Sequence, residues 1–121
     1  MVREYPPAVE DAVIRKYRSE LDYWIDNYHF RHKIKKNDLV FADTFTGKLV
    51  HALLQILYAK NHVYYPGDGN NLVFTRGFRI RPDDFEKRVT DILYPGRFGD
   101  GVLAEQVSML RELYRDVMKL L

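Results

Sequence analysis

The chain contains no cysteine, which excludes disulfide scaffolds, thiolate zinc sites and cysteine nucleophiles together. Only two serines occur, Ser19 and Ser108, and neither follows a glycine. No apolar run approaches the ~20 residues that a helical membrane span needs, and the opening MVREYPPAVED has no signal-peptide core. A soluble, cytoplasmic protein without membrane partners is therefore expected. Neither charge sign dominates: Lys+Arg 19 against Asp+Glu 17 leaves a net +2, with the signs interspersed. That balance excludes a histone-like binder driven by bulk charge, while a pI near 8.8 leaves room for local basic patches. A P-loop, a dinucleotide fingerprint, HExxH, GxSxG and an EF-hand loop are all missing.

What is present suits one all-α domain over residues 1–121, with 46% hydrophobic and 30% charged residues. After Pro6-Pro7, the spacing of Val9, Val13, Tyr17, Leu21, Trp24 and Tyr28 predicts a helix from about residue 7 to about residue 30. Arg15, Ser19, Asp22 and Asp26 fall on its opposite face. RHKIKKN (31–37) reads as a basic inter-helix loop, with Asn37 or Asp38 capping the next helix. From about residue 38 to about residue 60 the pattern is helical and apolar on most of its circumference, the mark of a central helix. Its polar residues Thr44, Lys48, His51 and Gln55 share one narrow strip. The segment 61–71 is turn-rich. Residues 72–81 alternate in a way that permits a short strand, but Asn70 and Asn71 favour one or two helical turns. Pro82-Asp83-Asp84 predicts a helix with proline first and acids in its positive first turn. Asp100 is the expected cap of a last helix whose polar face carries Glu105, Ser108, Arg111, Glu112, Arg115 and Lys119. The expectation is an irregular bundle of four to five helices.

Candidate chemistry is thin. His29 and His32 read better as a solvated helix end than as metal ligands, and helix-dipole stabilisation explains Asp83, Asp84 and Glu86. No catalytic residue and no metal ligand is assigned. The basic segment 31–36 reads as a solvated loop, so nucleic acid is not an expected partner. The strip Thr44, Lys48, His51, Gln55 has two readings. It is a plain solvent face, or it lines a groove in which Lys48 meets an anionic group while His51 and Gln55 form hydrogen bonds.

Residues 57–67 read Leu-Tyr-Ala-Lys-Asn-His-Val-Tyr-Tyr-Pro-Gly. This resembles the motif L-F-A-L-N-x-x-Y-F-P-G of the helical C-terminal domain in bacterial and archaeal nucleotidyltransferases. These belong to the polymerase-β-like superfamily that includes the aminoglycoside nucleotidyltransferases. Leu57, Ala59, Asn61, Tyr64, Pro66 and Gly67 match, and Tyr58 and Tyr65 replace aromatic neighbours. The leucine-rich helix before the motif and the Pro82-x-x-Phe85 start after it are also similar. The chain departs at Lys60, where the motif is apolar, and at Gly69-Asn70, where it has a lysine.

In such enzymes a separate domain carries catalysis through a Gly-Ser pair and an Asp-x-Asp metal site, and neither sequence occurs here. The resemblance implies the substrate-side half of an enzyme. A catalytic domain or subunit would be its partner and a small-molecule acceptor its ligand, while Mg²⁺ and nucleotide triphosphate would bind only with that catalytic domain. Lys48, His51, Gln55, Asn61 and Tyr65 are then the expected substrate-binding residues, bordering one concave surface. Asn61 and the two tyrosines have a structural reading as well, as helix cap and loop packing. The alternative function is a helical homodimerisation module without a ligand, its apolar patch covered by a second copy. A helical ribonuclease of the toxin–antitoxin kind would need a histidine four to six residues after an arginine within one helix, a spacing absent here.

Overall fold

The computed structural model describes residues 4–121; residues 1–3, which the single-domain reading takes in, lie outside them. Among the described residues the chain is all-α: α1 (Pro7–Ile25), α2 (Tyr28–Lys35), α3 (Leu39–Lys60), α4 (Asn71–Phe74) with a 3₁₀ turn at Thr75–Gly77, α5 (Phe85–Leu93) and α6 (Val102–Met118). No helix among them is long and apolar enough to cross a membrane. The count of six exceeds the expected four to five because the first predicted helix is two.

The break falls at Asp26-Asn27. Asn27 turns extended (φ −69°, ψ 136°) and its side chain accepts from the His29 N–H at 2.8 Å, an N-cap that starts α2. Tyr28, read as the last residue of the buried stripe, is exposed. Ile25, Phe30 and Ile34 are buried instead. The basic segment is thus helical through Lys35, not a loop, and it turns only at Lys36-Asn37. Asp38, rather than Asn37, caps α3 by accepting from the Phe41 N–H at 3.1 Å. That bond, with Lys33 beside it, holds the Asp38 carboxyl below its ordinary value.

α3 is the centre. Half of its residues are buried, and it packs against α1, α2, α5 and α6. Leu49, Ala52, Leu53, Ile56 and Leu57 have no exposed surface. At 100° per residue they occupy a wide arc, which is why several helices can pack around one.

Asn70 accepts from the Val73 N–H at 3.2 Å and starts the short α4, so the segment after residue 71 opens as helix, not strand. α5 does not begin at Pro82. Pro82 is buried, the chain turns at Asp83-Asp84 with Asp84 left-handed (φ 56°), and Phe85 is the first helical residue. Of the three acids only Glu86 lies in the first turn, and Arg76 clamps it with bonds of 2.5 and 2.7 Å that lower its pKa. Gly101 (φ 81°), not Asp100, precedes α6; a left-handed residue there suits glycine. Buried Gln106 donates to the Ile92 carbonyl at 2.7 Å and ties α6 to α5.

Candidate functional site

The polar strip of α3 does not face open solvent along its whole length. α1 lies along it, and His51 is half-buried between Tyr17 of α1 (ring centroids 5.8 Å apart) and Tyr65 of the following loop (5.4 Å), edge-on to both. Gln55, one turn further on, places its amide nitrogen 3.2 Å from His51 Nε2. With the carboxamide in this orientation Nε2 accepts, which leaves the ring proton on Nδ1. Tyr65 in turn meets the Tyr58 ring at 5.0 Å, and the Tyr58 hydroxyl donates to the Asn71 carbonyl at 2.7 Å.

Gln55 and Tyr65 also line a cleft of about 210 Å³ between the start of α1 and the 61–65 loop, walled by Tyr5, Val9, Val13 and Tyr64. Burial raises the Tyr58 phenol above its ordinary value, with Tyr65 adding to the effect. Burial raises Tyr5 as well, followed by Tyr64 and Glu10. Tyr5 and Tyr58 therefore keep their protons at neutral pH, and the Tyr58 proton is already committed to the Asn71 carbonyl.

The five expected substrate residues separate into three groups. His51, Gln55 and Tyr65 come together. Lys48, one turn before His51 on the same strip, is exposed, with its ammonium 5.6 Å from the Phe45 ring centroid. Asn61 faces elsewhere and has its amide occupied: Nδ2 donates to the Leu57 carbonyl (2.8 Å) and the Ile80 carbonyl (2.7 Å), while Oδ1 accepts from the Ile80 N–H (3.0 Å). It is the C-cap residue of α3 in a right-handed bridge conformation (φ −91°, ψ 5°), and the left-handed residue that commonly follows a helix end is His62 (φ 59°).

Residues of α1 and the segment before it complete the cleft, and no local pattern points to them. Tyr5 stacks on His62 at 5.6 Å and packs on Tyr64 at 4.7 Å. Glu10 lies 2.8 Å from His62 Nε2 and 3.9 Å from Lys60 Nζ. Lys60, the departure from the motif, thus has a partner on α1. Among the described residues no three His, Cys, Asp or Glu side chains converge as metal ligands would. No known family model, curated protein or solved structure matches the chain.

Proposed function

We propose that the chain is the substrate-side helical domain of a nucleotidyltransferase, working with a catalytic domain that supplies the metal-binding carboxylates. The observation that carries the reading is the meeting of His51, Gln55 and Tyr65 where the motif-bearing loop leaves α3. A small-molecule acceptor would lie on this edge of α3. The His51 Nδ1, the Gln55 carboxamide oxygen and the Tyr65 hydroxyl would offer donors and acceptors to hydroxyl or amine groups. Lys48, at the outer end of the strip, would meet an anionic group. Nucleotide triphosphate and Mg²⁺ belong to the catalytic partner, whose chemistry this domain serves by holding the acceptor in line.

Incubated alone with Mg²⁺, each nucleotide triphosphate and candidate acceptors, the chain should release no pyrophosphate above background. Paired with its catalytic partner, Lys48→Ala/His51→Gln should raise the acceptor KM by about tenfold or more, as loss of two polar contacts would, with little change in thermal midpoint. Turnover by the chain alone that survives repurification, or an unchanged KM, would overturn the reading.

A second reading, homodimerisation, rests on exposed apolar side chains at the other end of α3. Val40 is 77% exposed and Tyr94 79% exposed. Asp43, on the same face of α3 as Val40, borders one depression with Tyr94. Sedimentation as a monomer at high micromolar concentration removes this reading.

A further inference from the structure

The segment 28–36 (YHFRHKIKK) carries six basic residues and no acid. Its folding as a helix decides where they point: Phe30 and Ile34 go into the core, and Arg31, His32 and Lys35 line the surface. Three depressions succeed one another from there. The first, about 380 Å³, is bordered by Tyr28, Arg31, His32 and Lys35. The second, about 220 Å³, shares Arg31 and Lys35 with it and reaches Ser108 and Arg111 of α6. The third, about 490 Å³, shares Arg111 and continues past Arg18, Tyr114, Arg115 and Lys119 to the end of the chain's last helix. The shared residues set the three depressions side by side in a row, a track across α2, α6 and α1.

Asp26 is the single carboxylate bordering the track, against six Lys or Arg side chains. The local ion pairs leave much of that charge free. Asp26 lies 3.4 Å from Arg111 and Asp22 3.9 Å from Arg18, while Asp116 lies 3.6 Å from Lys119 and is closer to Arg88, at 2.9 Å. No carboxylate of the described residues lies within 4 Å of Arg31, Lys35 or Arg115. Arg111 is half-buried: one terminal nitrogen donates to the Ile25 carbonyl at 3.0 Å, while its buried Nε has no acceptor. That nitrogen is closed to solvent, so it is the outer edge of the half-buried guanidinium that can meet an incoming acceptor. At the far end Tyr28 is 66% exposed and lies parallel to His32, with ring centroids 5.8 Å apart. His29 also packs edge-on to Tyr28, at 5.8 Å. A row of cations ending at an exposed aromatic ring suits unpaired nucleotides, since every base has a face to stack and every linkage a phosphate.

We propose that this track binds a single-stranded nucleic acid, its phosphates running past Arg31, Lys35, Arg111 and Arg115 and a base stacking on Tyr28. A lone phosphate needs only one of the depressions; their succession suits a strand. A duplex keeps its bases stacked on one another and leaves Tyr28 without a role.

The test is fluorescence anisotropy with labelled oligouridylate and oligothymidylate of about twelve nucleotides, within the site sizes typical of such grooves. Saturable binding by wild type should fall by about tenfold or more in Arg31→Ala/Lys35→Ala/Arg115→Ala. The salt dependence should also flatten by about 2 in the slope of log affinity against log salt, at about 0.7 per phosphate lost. Tyr28→Ala should weaken the oligonucleotides by about fivefold or more through lost stacking, without changing competition by inorganic polyphosphate. Arg79→Ala/Arg81→Ala, which removes two exposed cations from the segment before α5, is the control and should bind as wild type. Three results overturn the proposal: no saturable binding at about 0.1 M salt, where the Debye length is still about 10 Å; equal losses in the control; or indifference to Tyr28→Ala, which reduces the track to a general anion surface.

Discussion

Beside α3, polar groups sit among aromatic rings and find partners within the chain: His51 with Gln55, the Tyr58 hydroxyl with Asn71, Asn61 with Leu57 and Ile80. Along α2 and α6, the exposed cations Arg31, Lys35 and Arg115 have no carboxylate of the described residues within 4 Å, although Lys33, Arg111 and Lys119 do. The difference separates groups that already serve the fold, and could serve an acceptor only with their remaining edges, from cations that the fold does not use. A satisfied group contributes to stability, and removing it leaves its partner unpaired. An unsatisfied surface cation contributes almost nothing, so its removal should be felt in binding alone.

The largest test of that division is Leu53→Ala. Leu53 has no exposed surface in a helix that four others pack against. Its loss should cost about 2–5 kcal/mol, through lost burial and a residual cavity. Arg115→Ala should move stability by no more than about 0.5 kcal/mol. Comparable denaturation midpoints for the two variants would erase the distinction between the regions.

The same division marks what is legible in the sequence. α3 can be read there because burial on most sides writes itself into the spacing of Leu49, Leu53, Ile56 and Leu57. The break before α2 cannot: Trp24 and Tyr28 keep the stripe's spacing across it, and Asn27 looks like one polar residue in a helix until its cap bond is seen. Of the expected site, the strip position of Lys48, His51 and Gln55 is legible. The half-burial of His51 is not, because Tyr17 and Tyr65 reach it from other segments. Arg111 falls on the polar face of α6 by pattern, yet its bond to the Ile25 carbonyl crosses 86 positions of chain. Pattern reports on one helix at a time, and the basic track exists only where three meet.

An intermediate effect should come from Asn61. Its three bonds join the end of α3 to the Ile80 backbone, so they fix both the motif-bearing loop and the entry to α5. Asn61→Ala takes the side-chain partner from the Ile80 N–H and carbonyl, while the Leu57 carbonyl keeps the Asn61 backbone N–H, and should cost about 1–3 kcal/mol, the usual range for such groups. Asn61→Asp keeps the acceptor for the Ile80 N–H but sets a carboxylate against two carbonyl oxygens, and it should not recover the loss. Full stability in either variant would show that Asn61 is not a clamp and return it to the surface available for substrate.

The smallest effect is recognised by its disappearance at high pH and lies inside the basic region, at a phenol with a carboxylate partner. Tyr114 donates to the Asp22 carboxylate, and burial, with that bond, pushes its pKa up from 10.0 to about 12. The folded state holds this proton more tightly than the unfolded one. The stabilisation is therefore complete below pH 10 and is lost as the pH rises through about 12. In Tyr114→Phe the hydroxyl and its titration both vanish. The stability gap between wild type and variant should be level from neutral pH to pH 10, then close as wild type alone loses this contribution. An absorbance titration near the tyrosinate band should show the latest-ionising component of wild type missing from the variant. A gap that stays constant through pH 11 to 12 would mean that the phenol is solvated and the bond to Asp22 inert. Tyr114 would then join Arg115 among the groups left free for a ligand.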